Sequence, residues 1–216
     1  MNNHITKYIH HITKSEMYDK TDFIELFNNS AGYYPNLICD KLDFNLFNAL
    51  KDELANDNKI QWASNRHHIY DDPLKYPTFN FLVNKLTNIF NIKVSECRLN
   101  YYENGMSYKN LHQDRIIDTQ NYTIGLSLGN TRDLMFQHII NKQDFKFPQF
   151  NGDVFCFNDI INQTFYHGIP KSSQLGDRIS IILWGKINLD YTNNIDNIYN
   201  KDNIIKTQKK LRWRKK

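Results

Sequence analysis

Between 36 and 58, Leu46, Phe47, Leu50 and Leu54 repeat at helical spacing and predict a helix, with Asp43 as its N-cap. Leu82, Leu86, Ile89 and Phe90 share a helical face in the same way and predict a second helix near 80–91. Between them, WASNRHHIYDDPLKYPTF (62–79) has no period, two prolines and many aromatics, and reads as irregular. After residue 92 the pattern shortens. VSECRLNYY, NYTIGLSLG, DLMFQHI, GDVFCFN, QTFYHGI and RISIILWG are strand-like runs separated by NG, GN, ND and GD turn pairs. Many short strands behind a helical leader predict an α+β fold: a β-sandwich or jelly-roll core buttressed by N-terminal helices. No internal repeat is visible, and the low-complexity stretch is the Asn/Ile/Lys-rich 188–206.

Composition narrows the class. At 216 residues and 40% hydrophobic, the chain can bury one substantial core. Its 29 Asn, with abundant Ile, Lys, Tyr and Phe, reflect A/T-rich codons more than function. Cys39, Cys97 and Cys156 form no CxxC pair, which disfavours a disulfide framework or a cysteine zinc site and fits a reducing compartment. MNNHITKYIHHITK has no apolar leader core, and runs such as ISIILW are too short to span a bilayer. The expectation is a monomer without membrane contact, in the cytoplasm or nucleus. The net charge of +4 hides an asymmetry: KTQKKLRWRKK (206–216) holds seven basic residues and no acid, so residues 1–205 carry −3. That tail suits phosphate contacts with Trp213 as a stacking ring, a localisation signal, or a solvated disordered end.

The candidate chemistry starts in NGMSYKNLHQDRIID (104–118). His112 and Asp114, two apart, point to one face of an extended chain. Fifty-three residues after Asp114, His167 appears in QTFYHGIP. Two histidines and a carboxylate can occupy one face of an octahedral metal and leave the other open, an arrangement that favours non-haem Fe(II). An H-x-D pair alone is weak evidence and more often has a surface or structural role. Arg178, eleven residues beyond His167 and opening RISIILWG, changes the balance. A facial triad followed by an inward arginine is the layout of an oxygenase that uses Fe(II) and 2-oxoglutarate. There, the guanidinium grips the co-substrate's distal carboxylate by a two-point fork.

With these residues in place, the chain resembles the AlkB-like Fe(II)/2-oxoglutarate-dependent dioxygenases, in their nucleic-acid dealkylase branch. The resemblance runs from about Trp62 to Gly185. It rests, in order, on Asn100-x-Tyr102 with Asn104-Gly105, His112-x-Asp114, GLSLGNTRDLMFQH, NGDVFCF, FYHGIP and Arg178-x-Ser180. It implies a double-stranded β-helix, iron held by His112, Asp114 and His167, and 2-oxoglutarate contacted by Asn100, Tyr102, Arg178 and Ser180. It divides the chain into an N-terminal helical extension (1–61), a dioxygenase domain (62–188) with a nucleotide-recognition lid (62–81), and a basic tail (189–216). In or near the lid it places Trp62, Arg66, Tyr70, Tyr76 and Phe79, with Tyr76 and Phe79 the best candidates for stacking on an unstacked base. Arg132 and His138 also fit the family pattern, without a defined role.

The pattern breaks in two places. Family members usually carry a second arginine six residues after the first, where this chain has Trp184. Arg98 shares a strand face with Asn100 and Tyr102, and is expected either to supply the lost cation or to pair with an acid such as Glu96. Nucleic-acid members often have an acid two places after the iron-binding Asp, where this chain has Ile116. The expected activity is oxidative removal of an alkyl group from a base in DNA or RNA, consuming O2 and 2-oxoglutarate and releasing succinate, CO2 and formaldehyde. Two alternatives stand beside it: a hydroxylase of protein side chains or small molecules, and a non-catalytic nucleic-acid-binding module on a decayed site.

Overall fold

Both expected helices form, and the reasons lie in their ends as much as their faces. The computed structural model describes residues 11–12, 20–55, 61–62, 67–70 and 75–187. Helix α1 (Lys20–Ser30) precedes α2 (Asn45–Ala55), in which Phe47, Leu50 and Leu54 are buried. The Asp43 carboxylate accepts the Asn45 N–H at 3.1 Å, as a cap should. Helix α3 (Pro77–Phe90) starts one turn earlier than its leucines suggest, because Pro77 needs no N–H donor at the first position. Glu53 of α2 accepts the Thr78 N–H at 2.8 Å, so one helix caps the next. Asn91 ends α3 in the left-handed region at φ 46°.

The strands are β1 (His11–Ile12), β2 (Ala31–Tyr34), β3 (Gln61–Trp62), β4 (His67–Tyr70), β5 (Ile92–Tyr102), β6 (Lys109–His112) and β7 (Tyr122–Gly129). They continue with β8 (Arg132–His138), β9 (Asp144–Gln149), β10 (Val154–Asn158), β11 (Phe165–Ile169) and β12 (Arg178–Ile187), and the short α4 (Asp159–Thr164) lies between β10 and β11. They form two antiparallel sheets, in the orders β2-β10-β7-β12-β5-β4-β3 and β1-β9-β8-β11-β6. This is the expected α+β jelly roll. All six strand-like runs carry a strand. The pattern did not announce β6, β2 or β9, the last containing Pro148 within its pairing. The segment before residue 62, expected as a helical extension, also places β2 in the larger sheet against β10.

Two cores hold the layers. Helices α2 and α3 bury Leu50, Leu82, Leu86 and Phe90 against Leu99, Leu126, Ile179, Ile181 and Leu183 of the larger sheet. A second core is mainly phenylalanine: Phe27 of α1 meets Phe165 at 4.9 Å and Phe136 at 5.4 Å between ring centroids. Alternation on β12 and β5 then decides the rest. Ile179, Ile181 and Leu183 face the helices, so Arg178, Ser180, Ile182 and Trp184 face the space between the sheets.

Candidate metal centre and co-substrate cavity

That space is a cavity of about 410 Å³. Its walls include His112, Asp114 and His167, with Arg98, Asn100 and Tyr102 from β5 and Arg178 and Ser180 from β12. His112 and His167 are cross-strand partners on β6 and β11, so the register alone brings together residues far apart in sequence. The Asp114 Oδ1 atom lies 3.7 Å from His112 Nε2 and 3.6 Å from His167 Nε2. The three donors fall within 4.8 Å of one another. Two ligand atoms each about 2.1 Å from an ion can be at most about 4.2 Å apart, so both His–Asp separations suit a shared metal.

The protonation states also fit. His112 Nδ1 lies 2.9 Å from the Asn110 carbonyl, which can only accept, so Nδ1 carries the proton and Nε2 keeps its lone pair for a metal. Burial pushes the His167 imidazole below its ordinary pKa, against the opposing pull of Asp114, which favours the neutral, ligating form. Burial alone would raise Asp114, but the His112 and His167 imidazoles outweigh it and hold the carboxyl well below the usual range. Phe157 and Phe136, with ring centroids 5.0 and 5.9 Å from that of His167, form the apolar wall behind it.

Asp114 is held from three sides. Thr123 donates to its Oδ2 at 3.0 Å. Asn162 accepts the Asp114 N–H at 2.8 Å and donates to the Asp114 carbonyl at 3.0 Å. Asn162 is itself buried on α4, so the short helix positions the ligand. Asn162→Ala is expected to lower metal affinity about 10–100-fold, as loss of an orienting partner does. Titration of the apoprotein with Mn(II) checks this, and an unchanged affinity would remove Asn162 from the site.

At the other end, Arg178 is buried beside Tyr102, with its Cζ 5.3 Å from the ring centroid and its Nε donating to Ser127 at 2.9 Å. Its Nη1 is buried and makes no hydrogen bond among the described residues. Burial pushes the guanidinium down to about 10, still charged at neutral pH. Burial also raises the Tyr102 phenol, keeping it a donor. Asn100 donates to Ser180 at 3.3 Å. A buried guanidinium with a spare donor, flanked by a phenol, an amide and a hydroxyl, is built for a carboxylate.

The larger part of the chain matches one family pattern: residues 26–189 fit the 2OG-Fe(II) oxygenase superfamily. The chain belongs to that superfamily. It is therefore a 2-oxoglutarate-dependent dioxygenase, and the family implies Fe(II), 2-oxoglutarate and O2. No curated protein matches the oxygenase sequence. Among solved structures, a Pseudomonas putida prolyl-4-hydroxylase is similar over 77% of this chain and 98% of its own, with 13% identity and a TM-score of 0.53. An oxidoreductase of the 2OG-Fe(II) oxygenase family from Burkholderia pseudomallei covers 82% and 97%, with 11% identity and a TM-score of 0.51. The protein OsALKBH1 covers 73% and 97%, with 11% identity and a TM-score of 0.51. At these identities the likenesses support the jelly-roll fold and do not distinguish a substrate.

The oxygenase cavity thus gathers the expected ligand and co-substrate residues, but not the expected aromatic platform. Tyr76 and Phe79 are 5% and 0% exposed and pack in the helix core, on the opposite side of the larger sheet from the cavity. Phe79 belongs to the apolar face of α3 with Leu82, Val83 and Leu86, so neither ring is available to a base. Trp62 and Tyr70 fall in β3 and β4, which extend the larger sheet beyond β5, and their side chains lie outside the described residues. Arg66 lies outside them entirely, as does the basic tail with Trp213.

Arg132, for which the pattern gave no role, is buried and donates to the carbonyls of Asn104, Ser107 and Pro170, at 3.1, 2.9 and 2.5 Å. It pins the loop that leads into β6. His138 is also structural, with Nδ1 2.8 Å from Asn141 Oδ1 and its ring against Phe23. Glu96, weighed as the partner of Arg98, pairs with Arg115 at 2.9 Å. Ile116 is exposed and the acid nearest after it, Asp118, is exposed too. Sequence reading missed Thr123, Ser127 and Asn162. Alternation along NYTIGLSLG would have put Thr123, Gly125 and Ser127 on the inward face; nothing local marked Asn162. No helix among the described residues is long and apolar enough to cross a membrane.

Proposed function

We propose that this oxygenase oxidatively removes alkyl groups from nucleobases in DNA or RNA, as an AlkB-like member of the superfamily. The supporting observation joins sequence to geometry. The AlkB-like motifs occur in order along the chain, and the segment read as a lid supplies the hairpin β3–β4 beside β5, the strand that lines the cavity. Fe(II) with 2-oxoglutarate supplies the power to hydroxylate a strong C–H bond, which no side chain has.

The protein's own residues bind and orient. His112, Asp114 and His167 are the residues that would hold the metal. Arg178, with Tyr102, Asn100 and Ser180 around it, takes the distal carboxylate of the co-substrate. Arg98, with its Cζ 5.8 Å from the Trp184 ring centroid, is the cation that would stand in for the family's second arginine. Leu134, Phe155 and Phe157 give the cavity an apolar wall. A base must leave its stack to reach such a cavity.

A second reading, hydroxylation of a protein side chain, draws on the withdrawal of Tyr76 and Phe79 into the core and on Ile116 standing where an acid is usual. The test compares base-methylated oligonucleotides with peptides. Nucleobase demethylation requires formaldehyde equal to succinate with the oligonucleotides. Succinate formation stimulated by peptides, with no formaldehyde from oligonucleotides, would replace it with the second reading.

A further inference from the structure

Lys109 and His112 are three residues apart and would face opposite ways on a regular strand. Both line the cavity. The pairing with β11 explains why: His112 stands opposite His167 and Lys109 opposite Ile169, so three steps on β6 face two on β11. This is a β-bulge, which re-aims side chains and bends the strand that carries it. Among the described residues β6 ends its sheet, so β11 alone sets where its four residues lie.

The bulge closes directly over Gly168, the neighbour of the ligand His167 on β11. A Cβ at Gly168 would lie 2.6 Å from the Lys109 carbonyl oxygen, 2.9 Å from that of Asn110 and 3.0 Å from the Asn110 carbonyl carbon. All three atoms are backbone of β6, so a side chain here can be admitted only by moving that strand. The Asn110 carbonyl is also the group that faces His112 Nδ1 at 2.9 Å and fixes which ring nitrogen carries the proton. His167 is held differently. Its Nδ1 is buried and makes no hydrogen bond among the described residues, and the rings of Phe136 and Phe157 fix its place. Packing cannot do the same for His112, whose side chain is 34% exposed against 9% for His167. Its aim therefore depends on one carbonyl, and the position of that carbonyl depends on the missing side chain across the strand pair.

We infer that Gly168 is a positioning residue of the metal centre: by letting the bulge of β6 close onto β11, it sets the Asn110 carbonyl and, through it, the tautomer and aim of His112. The inference rests on the metal reading of the triad and is the same for a nucleobase or a protein substrate. A methyl group at position 168 pushes on the end strand of a sheet, which has no strand beyond it among the described residues to push back. Neither hydrophobic core contains a β6 residue, so the displacement falls on the ligand and not on the fold.

The experiment uses the metal-free full chain and Gly168→Ala. Long-range proton–nitrogen correlations of the histidine rings at alkaline pH report the tautomers, and the His112 signals are assigned by their loss in His112→Gln. Mn(II) titration and a thermal melt follow on the same samples. The native His112 ring should carry its proton on Nδ1. In Gly168→Ala that preference should be lost and Mn(II) affinity should fall about 10–100-fold, as when an orienting partner of a ligand is removed, while the chain still melts cooperatively. A glycine with a merely structural role would lower the melting temperature and leave tautomer and affinity as they were, and that result overturns the inference. So does a loss of affinity with the tautomer retained. Should Gly168→Ala not fold, the native ring decides alone: a proton on Nδ1 supports the inference and a proton on Nε2 overturns it. A native chain that binds no Mn(II) takes the metal reading down as well, whereas failure of the Gly168 role leaves native binding intact.

Discussion

Asp114→Ala is expected to leave a folded protein whose iron- and oxygen-dependent succinate formation falls to background. The carboxylate is the one anionic ligand of the triad, and the position from which both imidazoles are reached, at 3.6 and 3.7 Å. Without it, two neutral nitrogens remain, and nothing in the triad offsets the charge of a divalent ion. Loss of an outer partner costs about 10–100-fold in metal affinity, so loss of this ligand should cost at least roughly a thousandfold. The fold should survive because Asp114 belongs to neither core, and both its Asn162 contacts are made by backbone groups that alanine retains. Metal content after dialysis, succinate release and a thermal melt check the three parts separately. Iron-dependent turnover persisting in the variant would remove Asp114 from the centre.

Arg178→Leu should weaken 2-oxoglutarate binding by about 2–4 kcal/mol, some thirty- to a thousandfold, because it removes a desolvated charge partner of a carboxylate. The same change should not destabilise the unliganded protein, and is expected to raise its melting temperature. The reason is linkage. The guanidinium's folded pKa is pushed down to about 10 from an ordinary 12.5, so the folded state binds this proton less tightly than the unfolded chain. The penalty is fully present below about pH 10, where both states are charged, and is relieved only as pH rises beyond it. A buried cation with an unpartnered Nη1 is held for a ligand and not for stability. Arg178→Lys should recover only part of the affinity, since an ammonium cannot make the two-point fork. Calorimetric binding and melts of the apoprotein read the two effects. Unchanged binding would show that the distal carboxylate goes elsewhere.

The gap between what the sequence displayed and what the fold did is instructive at Tyr76 and Phe79. Family resemblance drew both toward the substrate, yet Phe79 continues the spacing of Leu82, Val83, Leu86 and Phe90, and that period places it in the core. Pro77, read as a breaker within an irregular segment, is a helix starter. The hydrophobic period carried the physical information, and the expected lid boundary at residue 81 obscured it. Lys109 also lines the cavity, although alternation from His112 would turn it outward. Its inward aim depends on an extra residue in β6, and a bulge leaves no trace in a pattern of alternation.

By itself, the sequence determined the alternation of inward and outward residues on β5 and β12. It therefore determined that Arg98, Asn100 and Tyr102 lie on one face of β5 and Arg178, Ser180 and Trp184 on one face of β12, because a strand's side-chain period is fixed by its backbone. It also determined the H-x-D pair and the spacing to His167. Only the tertiary structure decided that His167 stands across from His112, that α4 brings Asn162 to Asp114, and that the bulge turns Lys109 inward. Those facts depend on cross-strand register and on residues up to dozens of positions apart, where pairing between strands, and not the local chain, sets the geometry.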